Sequence, residues 1–180
     1  MRRSKAVLLF LCFMVAGCGS LQTTSTPNFA LSGTARPPRV IGVAFFKGEE
    51  PYATNTRRNF YNALRQGALF DKVYGVDELR EAMDWSTKDF LTPQSRRRLQ
   101  ERLGVQGIFT ADVSAYKHAG IGNAHIYMDL IDAGSGNKLW SCHAQDDRLF
   151  SESVSLDETT ERAIQNAYKQ LQKDLQQQNR

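Results

Sequence analysis

Residues 107–144 decide the fold, and they read GIFTADVSAYKHAGIGNAHIYMDLIDAGSGNKLWSCHA. Apolar side chains occupy every second position in two parts of this stretch, separated by the glycine-rich segment 120–123. These apolar residues are Phe109, Ala111, Val113, Ala115, Ile126, Met128 and Leu130. A period of two is typical of strands that are buried on one side. The stretch therefore predicts three consecutive strands, over 107–116, 124–132 and 138–144, joined by short turns.

The flanking sequence adds one buried strand and several helices. Residues 40–46 read VIGVAFF, a continuous apolar run that predicts a buried central strand. Helices are predicted over 54–66, 76–83 and 92–103, with a short strand over 69–74. A last helix is predicted over 155–175, starting at the capping-box pattern Ser155–Glu158. The order β-α-β-α-α-β-β-β-α predicts an α/β fold, in which helices pack on a mixed sheet as a two-layer or three-layer sandwich.

The N-terminus has the order of a secretory signal. Arg2, Arg3 and Lys5 precede an apolar run of about ten residues, far short of the about 20 that a membrane-spanning helix needs. The run ends in Val15-Ala16-Gly17-Cys18, which resembles a bacterial lipobox. This resemblance implies cleavage after residue 17 and acylation of Cys18. Gly19 and Ser20 follow without an aspartate, which by resemblance to lipoprotein sorting in enteric bacteria implies the outer membrane, facing the periplasm, and not retention in the inner membrane.

Composition divides the rest of the chain into a tether and one domain. Residues 18–38 are rich in Ser, Thr, Gly and Pro and show no apolar period, so they predict a lipidated N-terminus with a flexible tether. Residues 39–180 are expected to form a single α/β domain that includes the C-terminal helix. Loss of residues 1–17 lowers the formal net charge from +4 to +1, so the charge gives no support to nucleic-acid binding.

No active site is predicted. Cys142 is the one cysteine left after Cys12 is removed and Cys18 is acylated, and its strand-like surroundings favour a buried, unreactive thiol. His125 and His143 are expected on adjacent strands. Neither a carboxylate nor a cysteine completes a set of metal ligands there, so no metal and no cofactor other than the lipid is expected. No nucleophile with a matching base is present in a catalytic pattern.

Two surface features are candidates for contacts with partners. Trp85 follows a predicted helix end, where an exposed ring could contact a protein partner or the membrane interface; the alternative is a core position. Arg96 and Arg97 belong to a basic run inside the helix 92–103. Such a run could meet anionic lipid or an acidic partner, or could simply be a solvated helix face.

Four segments in this order resemble a group of envelope lipoproteins. The group includes the curli secretion lipoprotein, the N-terminal domain of TolB, the lipoprotein activator of penicillin-binding proteins and the lipoprotein of Pel polysaccharide export. The resemblance covers residues 39–146. The four segments are VIGVAFF at 40–46, NFYNAL at 59–64 with GALFDKV at 67–73, LGVQGIF at 103–109, and MDLID at 128–132 with GNKLWS at 136–141.

The resemblance implies a non-enzymatic accessory subunit of an envelope export or assembly machine, and rings in this group imply a homo-oligomer. A Pel-like collar for exopolysaccharide export fits best, because the loops are too short for a curli-type barrel. The alternatives are an activator that docks on a peptidoglycan synthase, or an accessory factor of curli, pilus or flagellar secretion. In a collar, acidic residues are expected to guide a cationic polymer; the candidates are Asp129, Asp132, Asp146 and Asp147.

Overall fold

The computed structural model describes residues 21–29, 36–85, 89–118, 121–149 and 155–178. These residues form six strands and four helices. The strands are β1 (Leu21–Pro27), β2 (Val40–Gly48), β3 (Lys72–Tyr74), β4 (Gly107–His118), β5 (Ile121–Asp132) and β6 (Lys138–Leu149). The helices are α1 (Tyr52–Gln66), α2 (Val76–Ala82), α3 (Pro93–Leu103) and α4 (Leu156–Gln178). The predicted α/β class with a mixed sheet is confirmed.

All six strands belong to one sheet with the order β1-β6-β5-β4-β2-β3. β2 pairs in parallel with β3 and β4, because α1 in the first connection and α2 and α3 in the second return the chain to the same edge. β4, β5, β6 and β1 pair antiparallel. β4, β5 and β6 follow one another along the chain and each pairs with the next, so this antiparallel half is a meander to which β1 is added.

The helices cover the two faces of the sheet unequally. α1 and α4 pack on one face, around the largest buried side chains, and close the main core. α2 and α3 pack on the other face only near β2 and the start of β4, where Leu79, Leu99 and Ile108 are fully buried. The molecule therefore has three layers over its parallel half and two layers over the antiparallel half.

Local sequence signals fix the helix ends. Thr92 Oγ1 accepts a hydrogen bond from the Ser95 N–H at 3.1 Å, and Gly104 closes α3 with φ +68°. At the start of α4, Glu158 N–H donates to Ser155 Oγ and Ser155 N–H donates to Glu158 Oε2, as the predicted capping box requires. α1 ends at Gly67, whose N–H donates to the Ala63 carbonyl at 2.9 Å, and Ala68 then takes a positive φ of 49°.

The expectation of a flexible tether over 18–38 is wrong for residues 21–29. Leu21–Pro27 is an edge strand paired with β6, and the Phe29 side chain is 2% exposed in the main core. The hydroxyl-rich sequence hides this strand because an edge strand next to solvent needs few apolar side chains. The predicted signal peptide, the predicted acylation site Cys18 and residues 30–35 lie outside the described residues.

The three predicted strands of the meander are longer than expected. β6 continues to Leu149, so Asp146 and Asp147 lie inside a strand and not at the end of a loop. Ile121–Asn123, expected in a turn, already belong to β5. Within the described ranges, no helix has both the length and the apolar composition needed to cross a membrane.

Candidate functional site

The antiparallel half of the sheet has one face that no described helix covers. Along β4, β5 and β6 the buried residues alternate with residues that point to this side, because successive side chains leave opposite faces of a strand. We name this surface the open face. Its residues are Thr24 and Thr26 of β1, Asp112, Ser114 and Tyr116 of β4, His125, Tyr127 and Asp129 of β5, and Ser141, His143, Gln145 and Asp147 of β6.

Four rings form a row across three strands of the open face. Tyr116 and His125 have centroids 6.0 Å apart, and His125 and His143 are 5.6 Å apart. Tyr127 stacks on His143 at 4.2 Å with an interplanar angle of 2°. Tyr116 and Tyr127 are 48% and 54% exposed. Exposed tyrosines that are ordered by stacking are typical of contact surfaces.

A shallow groove of about 360 Å³ lies beside this row. Its lining combines the exposed Tyr127 ring with the hydroxyls of Thr24 and Ser141 and the carboxylates of Asp112 and Asp129. Asp129 is held in place, since Lys138 Nζ lies 2.7 Å from Oδ2 and Ser141 Oγ donates to Oδ1 at 2.7 Å. The groove is therefore polar and acidic, with one aromatic wall.

A second cluster of rings lies beside β2, between the end of α2 and the start of α3. Phe45 stacks on Phe90 at 5.6 Å, and the guanidinium groups of Arg57 and Arg80 lie 5.5 Å and 5.7 Å from the Phe45 centroid. Arg80 also lies 5.1 Å from the ring of Trp85. We name this cluster of Phe45, Phe90, Arg57, Arg80 and Trp85 the ledge. It borders the open face, and Trp85 is 57% exposed on it.

The backbone explains why Trp85 is exposed. Asp84 and Trp85 both have φ +58°, a left-handed conformation that ends the helical turn and directs the chain away from the core. Asp84 is fixed by Arg102, whose Nη1 lies 2.8 Å from Oδ1, and this interaction lowers the pKa of the Asp84 carboxyl. Trp85 is thus exposed as the contact hypothesis requires, and its role stays a prediction.

The two candidate arginines of α3 differ in what they contact. Arg96 donates hydrogen bonds to the carbonyls of Leu91 at 3.0 Å and Ala133 at 3.3 Å, so its guanidinium ties α3 to the β5–β6 turn. Arg97 is solvent-exposed and pairs with Glu101 at 2.9 Å. Of the two, Arg97 is exposed and Arg96 is half-buried.

The four candidate aspartates do not form one acidic surface. Asp129 and Asp147 lie on the open face, whereas the Asp132 carboxylate accepts hydrogen bonds from Ser135 N–H and Oγ in the β5–β6 turn. Asp146 is 1% exposed under α4, where Arg162 Nε lies 3.3 Å from its Oδ2. The expectation that Asp146 lines an opening is therefore wrong for this fold, because its strand position points to the core.

Sequence reasoning missed the ring row and the ledge. Tyr116 and Tyr127 stand in the polar phase of the alternation in β4 and β5, which is the signal that could have identified them as exposed aromatics. Phe45 could not be found in this way, because it lies in an uninterrupted apolar run and is exposed by the irregularity between Val43 and Phe46.

The described residues offer little for covalent or metal chemistry. No group of three or more His, Cys, Asp or Glu side chains in this part of the chain could hold a metal ion. Cys142 is buried, and desolvation raises the pKa of its thiol to about 12. The arrangement suits binding through a face and a ledge.

Comparison with known proteins found similar proteins only among the solved structures. No family model matches the chain, and no curated protein matches it. A PelC dodecamer from Paraburkholderia phytofirmans has a TM-score of 0.56 at 16% identity, over 82% of this chain and 94% of that chain. The lipoprotein GNA1162 from Neisseria meningitidis has a TM-score of 0.51 at 11% identity, over 76% and 99% of the two chains.

A third structure, the hypothetical protein CT253 from Chlamydia trachomatis, has a TM-score of 0.51 at 7% identity, over 76% of this chain and 97% of that chain. These likenesses cover nearly the whole of each solved chain. The chain therefore has the fold of PelC and of the lipoprotein GNA1162, as its resemblance to the group of envelope lipoproteins implied.

Proposed function

We propose that this protein is a non-enzymatic outer-membrane lipoprotein that faces the periplasm and serves as an accessory subunit of an envelope export machine. The machine that we propose is one for exopolysaccharide, in which copies of the chain assemble as a collar. The observation that carries the proposal is the shared fold with PelC, which is a dodecamer in its solved structure and matches over 94% of its length.

The start of β1 supports a position close to the membrane. Leu21 is already paired with Asp146, so only Gly19 and Ser20 separate the proposed lipid on Cys18 from the folded domain. Three residue steps span about 10 Å at most. A lipid at Cys18 would therefore hold the domain against the headgroups, which suits a collar and leaves no reach for docking at a distance.

The exposed side chains of the open face and the ledge support a function in binding rather than in catalysis. Four of the exposed large apolar side chains, Phe45, Trp85, Tyr116 and Tyr127, lie on the open face or its bordering ledge. Exposed aromatic side chains gathered on one side of a small domain are typical of interaction sites. In the proposed collar this side contacts a neighbouring subunit, another component of the machine or the polymer.

The proposal is tested by replacing the chromosomal copy with Cys18→Ala in the native bacterium. We expect loss of lipid labelling, loss of the protein from the membrane fraction, and a fall in secreted polysaccharide to the level of a deletion strain. Cys142→Ala is the matched control, because it removes a buried cysteine and should leave labelling and secretion unchanged. Normal polysaccharide secretion in the deletion strain would reject the export role.

A further inference from the structure

The imidazoles of His125 and His143 face each other end to end on the open face. His125 Nδ1 and His143 Nε2 are 3.3 Å apart, while the ring centroids are 5.6 Å apart and the planes differ by 11°. The centroid–centroid distance exceeds the N···N distance by the sum of the centroid-to-nitrogen distances in the two imidazole rings. The two nitrogens therefore lie on the line between the ring centres, which is the geometry of an N–H···N hydrogen bond within one plane.

This geometry restricts the number of protons that the pair can hold. One nitrogen must donate and the other must accept, so the bond needs at least one neutral ring. A first added proton keeps the bond, because an imidazolium donates to a neutral imidazole. A second added proton places two N–H groups and two positive charges against each other, and the bond is lost. Two sites coupled in this way titrate in two macroscopic steps.

The neighbours of the pair keep it ordered in the neutral form. Tyr127 stacks on His143, and Tyr116 Oη lies 3.5 Å from His125 Nε2 at the other end. Partial burial and the neighbouring His125 lower the pKa of His143. The row of four rings is therefore complete while at least one of the two histidines is neutral. It breaks between His125 and His143 when both carry a positive charge.

Charged groups on β4, β5 and β6 make this change matter for the whole face. Asp112 lies on β4, Asp129 on β5 and Asp147 on β6, while Lys47 of β2 and Lys138 of β6 stand at its margin. β1 contributes no charged residue, and Arg80 of α2 stands over Phe45 on the ledge. Three carboxylates against two ammonium groups leave one excess negative charge. Two imidazolium charges would reverse that sign.

We propose that the His125–His143 pair makes the open face a pH-sensitive surface: it carries an ordered ring row and one excess negative charge while both rings are neutral, has no excess charge after the first added proton, and becomes disordered and net positive when the second proton binds. The face then attracts a cationic partner while both rings are neutral, and it repels that partner once both carry a positive charge. Histidine titration falls between about pH 5 and pH 8, the range in which an envelope protein meets changes in acidity.

The test is a histidine NMR titration of the intact domain, with Tyr127 ring signals followed in the same spectra. We expect two separate steps for the pair, and a shift of the Tyr127 signals that follows the second step and not the first. His143→Gln keeps a hydrogen-bonding side chain at this position and should leave a single step with no accompanying Tyr127 shift. His125→Gln is the reciprocal variant, so the proposal can still be tested if one of the two variants folds poorly.

The opposite result would be equally clear. If both imidazoles titrate together in one step, and Tyr127 does not respond, the rings are not coupled and the proposal is wrong. It is also wrong if His143→Gln leaves the titration of His125 and the Tyr127 shift as they are in the unaltered protein. The circular dichroism spectrum at each pH separates a local change on the face from unfolding of the domain.

Discussion

The Trp140 ring shows how one side chain sets the position of a helix. Trp140 is fully buried and donates from Nε1 to Asp174 Oδ2 at 2.8 Å, while Gln170 donates to the other oxygen of the same carboxylate at 2.9 Å. A buried indole needs such an acceptor, because an unsatisfied N–H keeps its full desolvation cost. The acceptor comes from 34 residues away, so no local sequence pattern marks it.

Removing this acceptor should destabilise the fold. We expect Asp174→Ala to lower the free energy of unfolding by about 1–3 kcal/mol, because it leaves the Trp140 N–H unpaired in the core. Asp174→Asn retains an acceptor oxygen and should cost less. Lys173→Ala, at the exposed neighbouring position, is the control and should have almost no effect. Urea unfolding measures all three, and equal stability of Asp174→Ala and the unaltered protein would contradict this assignment.

The Cys142 thiol should be inert in the folded protein. Burial raises its pKa to about 12, so almost no thiolate forms at neutral pH. We expect alkylation of Cys142 by iodoacetamide only in denaturant, read out by the mass of the peptide that contains it. Rapid labelling of the native domain would mean that β6 opens readily or that the thiol is exposed.

At the scale of elements, β1 is the largest departure from the sequence prediction. Its residues LQTTSTP lack the alternation of apolar and polar side chains. β1 is an edge strand, and its pairing with the backbone of β6 holds it in the sheet. The meander, by contrast, was predictable because β4, β5 and β6 each bury one face against α1 and α4. The strand ends were less predictable, since polar residues such as Asp147 extend β6 along the open face.

A substitution at Phe29 tests whether the segment 21–29 is part of the fold. We expect Phe29→Ala to cost about 3–5 kcal/mol, because the ring is 2% exposed in the main core. Thr24→Ala, on the exposed side of β1, should change stability by less than about 0.5 kcal/mol. Thermal or urea unfolding of the mature domain gives both values. If Phe29→Ala unfolds like the unaltered protein, the segment is a tether after all.

At the scale of the whole molecule, the unequal covering of the sheet creates the candidate site. Helices α2 and α3 are short and pack only near β2 and the start of β4, so the antiparallel half presents one polar and aromatic face to its surroundings. The sequence predicts the helices and the sheet, but not which part of the sheet they leave uncovered. That outcome depends on packing between distant elements, and it is why Tyr116 and Tyr127 were not predicted as a surface.

The central claim is that this fold works as an assembled collar at the membrane. The most direct test is the mass of the purified lipoprotein in detergent, measured by light scattering with the detergent contribution subtracted. We predict a large oligomer of defined mass, and a smaller species when Tyr127→Arg and Trp85→Glu disrupt the exposed aromatic side. A clean monomer at high protein concentration would contradict the collar and favour a subunit that acts singly.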